Sequence, residues 1–83
     1  MSLTVNHQPD KQCFTIVTEN DEAILEYSLD KNQGKIDFHK TYVPQSLRGK
    51  GVAEKLVRQG LHWARENSYE IYATCWYVKR FLK

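Results

Sequence analysis

The chain has 83 residues, of which 41% are hydrophobic and 12% aromatic, and its 12 basic and 10 acidic side chains leave a net charge of +2. This length allows one domain, and the hydrophobic content and the balanced charge argue against a disordered chain. The net charge is far below that of a dedicated nucleic-acid or membrane-surface protein. Two cysteines, Cys13 and Cys75, are too few for a disulfide scaffold. Because no apolar run reaches the roughly 18–20 residues of a membrane span, we expect a single cytoplasmic domain over residues 1–83.

The first 43 residues predict an antiparallel meander of three strands. Residues 13–18 are rich in β-branched and aromatic side chains, and residues 23–29 alternate apolar with charged ones. Residues 30–34 have turn chemistry, and a third strand follows until Pro44 ends it. Alternation assigns this strand two faces, one with Ile36, Phe38 and Tyr42 and the other with Asp37, His39 and Thr41.

A long amphipathic helix follows the meander. From Gly51 the apolar residues recur at the spacing of one helix face, and Asn67 and Ser68 end the pattern. Residues 69–74 predict a fourth strand, and residues 77–82 predict a short terminal helix. A strand, a helix and a second strand form a right-handed crossover, so the fourth strand should lie parallel to the third. We therefore expect an α+β domain with the long helix on one face of the sheet.

The segment between the third strand and the helix carries two glycines, Gly49 and Gly51. Such glycines let a backbone turn sharply and approach a ligand without obstruction from Cβ. The first N–H groups of a helix lack intrahelical partners, and with the helix dipole they attract an anion, especially phosphate. Arg48 and Lys50 add positive charge. The other interpretation is a tight strand-to-helix turn with basic side chains in solvent.

The run Arg48-Gly49-Lys50-Gly51-Val52-Ala53 resembles the (Gln/Arg)-x-x-Gly-x-(Gly/Ala) pattern of the GNAT N-acetyltransferases. Over residues 13–82 the chain is similar to the small single-domain "predicted acetyltransferase" branch of that superfamily. The resemblance implies a minimal GNAT-like fold, acetyl-coenzyme A as co-substrate, and a sheet splayed between its third and fourth strands. Pyrophosphate would lie on the loop, and the pantetheine arm would lie along the third strand. The implied cofactor-binding residues are Thr41, Tyr42, Val43, Arg48, Gly49, Lys50, Gly51, Val52 and Ala53.

The resemblance also suggests two catalytic candidates. Cys75 lies where the fourth strand ends, near the expected thioester; its thiolate would accept the acetyl group, or its thiol would simply line the pocket. Tyr77 would protonate the departing coenzyme A thiolate, or pack as a core aromatic. Branch members often carry His-Thr-Glu-Val-Pro where this chain reads Lys40-Thr41-Tyr42-Val43-Pro44, so their histidine and glutamate are replaced.

Three functions remain open at this point. The first is an N-acetyltransferase that moves an acetyl group from acetyl-coenzyme A to an amine acceptor, and the second is a non-catalytic module that binds coenzyme A or a partner. The third, a nucleic-acid module that reads phosphates, is disfavoured by the low net charge. We expect neither nucleic acid nor membrane as a partner. The basic residues within 78–83 form a solvated face, or contact the coenzyme A 3′-phosphate or an acidic partner.

The other histidines and aromatic residues receive structural interpretations. Three scattered histidines without cysteine or carboxylate ligands at suitable spacing predict no metal site. His7 and His62 are expected in solvent, and Cys13 is expected to pack within the first strand. The residues expected to pack between the helices and the sheet are Trp63, Trp76 and Phe81.

Overall fold

A five-stranded mixed sheet with one long helix on its face organises the protein in the computed structural model, which describes residues 4–82. The strands are β1 (Val5–Gln8), β2 (Cys13–Val17), β3 (Glu22–Asp30), β4 (Lys35–Tyr42) and β5 (Glu70–Ala73), and the helices are α1 (Val52–Glu66) and α2 (Trp76–Lys79). Short 3-10 turns lie at Pro9–Lys11 and Gln45–Leu47. Residues 1–3 and 83 of the expected domain lie outside the described part. Within residues 4–82 no helix is both long and apolar enough to cross a membrane.

The strands lie in the sheet in the same order as in the chain. β1 to β4 pair antiparallel with their neighbours, and β5 joins β4 in parallel after the α1 crossover. This confirms the α+β fold, the meander, the long helix and the parallel strand that follows it. The sheet holds one strand more than predicted, because β1 pairs with β2 and places His7 opposite Phe14.

A β-bulge in β4 changes which side chains face the helix. Tyr27 of β3 pairs with Phe38, but its neighbour Glu26 pairs with Lys40, so His39 is one residue extra in β4. A shift of one residue sends each later side chain to the opposite face of the sheet. The faces predicted for the end of this strand are therefore wrong.

Thr41 and Tyr42 exchange the faces predicted for them. Thr41 pairs with Leu25, which packs against α1 at Gly60, so Thr41 lies on the helix side of the sheet. Tyr42 lies on the outer face, where it is 50% exposed. The bulge thus turns a small polar side chain, and not an aromatic one, toward the helix side at the end of β4.

The core lies between α1 and the sheet. At Gly60 the helix comes so close to the sheet that a Cβ would lie 2.9 Å from Leu25 Cδ2 and 3.1 Å from Phe38 Cε1. A larger residue would have to displace these buried side chains in a close-packed interior. The core combines the predicted helix stripe with one face of the strands: Phe14, Ile16, Ala23, Leu25, Tyr27, Ile36, Phe38, Leu47, Val52, Leu56, Val57, Leu61, Ala64 and Val78.

We expected His7 to be in solvent, and this prediction is wrong. His7 belongs to an aromatic cluster. Its ring stacks on Phe14 with the ring centroids 4.1 Å apart, and it meets Trp63 edge-on at 4.5 Å. Its Nε2 lies 2.7 Å from the hydroxyl oxygen of Tyr27, and burial raises the pKa of that phenol to about 12. Burial also lowers the pKa of His7, so the fold favours the neutral ring.

The predictions for the other side chains are confirmed only in part. Trp63 and Phe81 pack against the core as predicted, but Trp76 is 70% exposed. His62 is exposed, and its Nε2 lies 3.3 Å from the carboxylate of Glu66 one turn later. The terminal helix α2 is shorter than predicted, with four residues.

Gly60→Val should destabilise the fold, because it forces a branched side chain against Leu25 and Phe38. Overpacking of this kind lowers the free energy of unfolding by about 1–3 kcal/mol, which urea denaturation measures. Gln59→Val, at an exposed neighbouring position, is the matched control and should cost about 0.5 kcal/mol of helix propensity. Equal losses in the two variants would contradict the close approach at Gly60.

Acid should reduce stability through His7. Above about pH 6.5 the ring is neutral in both the folded and the unfolded chain, so its packing contributes in full. As the pH falls from there through the lower pKa of the folded protein, the unfolded chain binds the proton first, and the free energy of unfolding decreases. His7→Phe should remove this part of the pH dependence in unfolding experiments. His39→Gln, at an exposed histidine, should retain it, and a His7→Phe profile as steep as wild type would show that another group is responsible.

Candidate active site

The connection from β4 to α1 turns sharply at two glycines. Gly49 has a φ of 80° and Gly51 a φ of 72°, both in the left-handed region that other residues adopt only with strain. A Cβ at either position would meet no atom of the described chain within 4 Å, so the space in front of both is open. Glycine is therefore required here by the backbone, and the turn remains accessible to a ligand.

Helix α1 begins directly behind this turn. Its first backbone hydrogen bond runs from the Lys55 N–H to the Gly51 carbonyl oxygen at 3.0 Å. The amides of Val52, Ala53 and Glu54 come earlier and have no carbonyl group one turn before them in the helix. The N-cap residue is Gly51, so no N-cap side chain accepts a hydrogen bond from these amides. The start of α1 therefore presents amide donors and the positive end of the helix dipole to an anion.

A cavity of about 280 Å³ lies in front of the turn and the helix start. The fold brings most of the predicted cofactor-binding residues together there with Tyr77, one of the two catalytic candidates. Leu47 and Glu54 also line it; the sequence analysis missed them, although each lies within three residues of a motif glycine. The full lining is Val43, Leu47, Arg48, Gly49, Gly51, Val52, Ala53, Glu54 and Tyr77.

The two basic side chains of the loop have different surroundings. Arg48 lines the cavity, and its Nε donates to the Val43 carbonyl oxygen at 3.1 Å. Lys50 lines a separate cavity beside the β2–β3 turn, together with Ser46 and Asp21, and the Ser46 hydroxyl donates to the Asp21 carboxylate. The basic charge at the helix-start cavity therefore comes from Arg48.

Glu54 adds a negative charge to the lining of the same cavity. Arg58, one turn further along α1, contacts its Oε1 with both Nε and a terminal guanidinium nitrogen at 2.8 Å. The pair is exposed, so it contributes little to stability. The ion pair with Arg58 reduces the electrostatic repulsion between the Glu54 carboxylate and an anion bound in the cavity.

β4 and β5 separate near this cavity. Their parallel pairing ends at Phe38 and Ala73, immediately before the bulge residue His39. The Cys75 N–H then donates to the Phe38 carbonyl oxygen at 3.1 Å. Within the described chain, residues 39–42 of β4 have no pairing partner in β5. The sheet is therefore splayed at this point.

The Cys75 thiol lies across this gap from Thr41, with Sγ 3.5 Å from the threonine Oγ1. Burial raises the pKa of the thiol, but hydrogen bonding from the Thr41 hydroxyl and from the amides of Val78, Tyr77 and Thr41 outweighs it. The net pKa of Cys75 is lower than that of an ordinary cysteine. The amides of Tyr77 and Val78 at the start of α2 favour the thiolate, although the Cys75 side chain makes no capping hydrogen bond to this helix by geometric criteria.

Cys13 has the opposite character. Only 4% of it is exposed, and burial together with the charges of Glu26 and Glu22 raises the pKa of its thiol. A thiol with a raised pKa forms little thiolate and reacts slowly. The structure therefore gives Cys13 the packing role that we expected.

Tyr77 and Lys40 lie on different sides of the sheet end. Tyr77 is partly buried in the cavity lining, and its ring centroid is 5.4 Å from that of Phe81. Lys40, which stands where branch members often carry histidine, lies on the outer face with its Nζ 3.8 Å from the Glu26 carboxylate. The histidine position of the branch therefore points away from the face that carries Thr41.

A splayed mixed sheet with an open helix start beside the gap is the architecture expected of an acetyltransferase with the α+β fold. The family model of the GCN5-related N-acetyltransferases matches residues 13–83, and the chain belongs to this family. Protein NATD1 of Bos taurus is 32% identical over 85 residues, which cover 98% of this chain and 73% of that protein. The Homo sapiens protein of the same name is 31% identical with the same coverage.

A solved structure agrees with the family assignment. The NMR solution structure of a GCN5-like candidate N-acetyltransferase from Staphylococcus aureus matches with a TM-score of 0.73 and 32% sequence identity. The match covers 96% of this chain and 78% of that chain. The GNAT-like fold is thus confirmed independently of the loop motif.

Proposed function

We propose that this protein is a cytoplasmic N-acetyltransferase that takes an acetyl group from acetyl-coenzyme A and transfers it to an amine. The observation that carries the proposal is the open start of α1 beside the gap between β4 and β5. The helix start offers donors for a pyrophosphate, and the gap exposes an edge of β4 that β5 does not pair with, where pantetheine would lie. Two free cysteines are in keeping with a reducing compartment.

The residues at both places suit acetyl-coenzyme A. The amides of Val52 and Ala53, with the Arg48 guanidinium, would hold the pyrophosphate. Arg48 donates to the Val43 carbonyl oxygen, so a pyrophosphate that attracts Arg48 would release this acceptor. The backbone of residues 41–43 has no partner in β5, and it would pair with the pantetheine amides once Cys75 and Arg48 release the Thr41 N–H and the Val43 carbonyl oxygen.

The chemistry is acyl transfer, and two routes are open to it. In the direct route the amine nitrogen attacks the thioester carbon, and the carbon–sulfur bond breaks. Coenzyme A leaves with a proton from Tyr77, which solvent restores, and the amine proton passes to solvent. In the second route the Cys75 thiolate attacks first, and coenzyme A leaves with a proton from Tyr77, which solvent restores. The amine then attacks acetyl-Cys75, forms the amide bond and releases the thiol.

One observation favours the Cys75 route and another favours an alternative function. The thiol lies in the gap beside Thr41 and has a lowered pKa, which suits a nucleophile. The alternative is a module that binds coenzyme A or a partner without turnover. It is favoured by Lys40 and Tyr42, which replace the histidine and glutamate of the branch and lie on the outer face.

Acetyl-coenzyme A should stabilise the fold. At about 100 times its Kd it should add about 2.7 kcal/mol to the free energy of unfolding, which raises the Tm of a domain this small by about 10–20 °C. Gly51→Val should remove most of this shift, because the branched side chain would stand in front of the helix-start amides. Thermal unfolding with and without the ligand measures both effects.

Gly34→Val is the matched control for backbone strain. Gly34 also has a positive φ, of 66°, and open space around it, but it lies in the β3–β4 turn. This variant should lower the Tm and keep the shift with acetyl-coenzyme A. Coenzyme A should also bind more tightly than adenosine diphosphate, because only coenzyme A carries the pantetheine arm. An unchanged wild-type Tm at saturating acetyl-coenzyme A would overturn the proposed function.

Acetyl transfer should pass through Cys75. A denaturing mass spectrum after incubation with acetyl-coenzyme A should show one added acetyl group, and peptide mapping should place it on Cys75. Cys75→Ser should abolish the label, and Cys13→Ala should retain it. If Cys75→Ser acetylates amines at the wild-type rate, the amine attacks the thioester directly. If wild type neither labels nor turns over a broad amine panel, the non-catalytic module is the correct function.

A further inference from the structure

Thr41 reaches Cys75 only because of the β4 bulge. His39 is the extra residue, and it places Thr41 on the same face as its pairing partner Leu25. There Thr41 Oγ1 lies 3.5 Å from the sulfur of a residue 34 positions later in the chain. Without the extra residue the Thr41 side chain would point to the opposite face of the sheet.

A second set of contacts fixes the backbone at Cys75. Asp37 accepts two hydrogen bonds from Thr74, from its N–H at 2.8 Å and from its hydroxyl at 2.7 Å. The next residue, Cys75, donates its N–H to the carbonyl oxygen of Phe38 at 3.1 Å. Three hydrogen bonds therefore tie residues 74 and 75 to β4 at the point where the two strands separate.

We propose that Thr41 and Asp37 are positioning residues for the Cys75 nucleophile. Thr41 donates its hydroxyl hydrogen to the sulfur and favours the thiolate, while the thiol proton passes to solvent. Asp37 holds Thr74 so that the thiol stays within reach of Thr41. This inference rests on the proposed function for the reaction of Cys75. The contact between the Thr41 hydroxyl and the Cys75 sulfur can nevertheless be tested without acetyl-coenzyme A.

The test is the pH dependence of alkylation by iodoacetamide, in a Cys13→Ala background so that one thiol reports. Only the thiolate reacts, so the midpoint of rate against pH follows the ionisation of Cys75. Thr41→Val should raise this midpoint by about one pH unit, the scale of one hydrogen bond to a charged group. Thr41→Ser should restore the wild-type midpoint, and Thr41→Ala, which adds no methyl group against sulfur, should behave as Thr41→Val does.

Asp37 requires a test that separates position from charge. Removing a negative charge near a thiol lowers its pKa, whereas releasing the thiol from Thr41 raises it. Asp37→Ala should therefore raise the alkylation midpoint if Asp37 positions Thr74, and lower it if Asp37 acts only through charge. Thr74→Val removes one of the two hydrogen bonds without changing charge, and it should raise the midpoint by a smaller amount.

The outcomes separate this inference from the proposed function. An unchanged midpoint in both Thr41→Val and Thr41→Ala would overturn the role of Thr41, whatever the protein does with acetyl-coenzyme A. A lowered midpoint in Asp37→Ala would overturn the role of Asp37. Shifted midpoints in a protein that never transfers acetyl groups would support the arrangement and contradict the proposed function. Circular dichroism of each variant should show the folded spectrum, so that a shift reports the site and not unfolding.

Discussion

The structure depends on the length over which β4 forms hydrogen-bonded pairs with a strand on each of its two edges. Over residues 35–38 it pairs with β3 on one edge and β5 on the other. At the bulge it keeps β3 and loses β5, because an extra residue bends the strand and increases its twist. His39, Lys40 and Tyr42 are exposed, so this end of β4 is accessible to solvent or to a ligand. The gap in which pantetheine would lie thus begins at one extra residue, His39.

The packing of α1 holds the helix start in a fixed position relative to that gap. Gly60 lets the helix lie directly against Leu25 and Phe38, and these side chains cannot move without disturbing a close-packed core. The short turn at Gln45–Leu47 and the hydrogen bond from Arg48 to the Val43 carbonyl connect the end of β4 to the helix. A ligand that spans the helix start and the gap would meet a helix start already in place, which limits the free-energy cost of ordering the site, although Arg48 would have to exchange the Val43 carbonyl oxygen for the ligand.

Long periodic segments explain why most of the fold could be predicted. The alternation in β3, the apolar stripe of α1 and the handedness of the crossover each depend on several residues that agree. β1 could not be predicted, since it is four residues long and His7 is half-buried only through contacts with Phe14 and Trp63. The bulge does not show in the alternation of apolar and polar residues, which therefore predicts the wrong face for Thr41. The loop could be predicted because glycine is required there by positive φ angles.

The environment of the thiol bears on how a Cys75 route would proceed. Transfer from coenzyme A to Cys75 exchanges one thioester for another, so the bonds formed and broken are alike. Such an exchange suffers if the attacking thiolate is stabilised too far, because nucleophilicity falls with the pKa. Here the groups that lower the pKa of Cys75 against the effect of burial are neutral donors, the Thr41 hydroxyl and nearby amides. These donors favour the thiolate of Cys75 relative to an ordinary cysteine. The free-energy decrease would then come from the second step, in which the amine converts a thioester into a more stable amide.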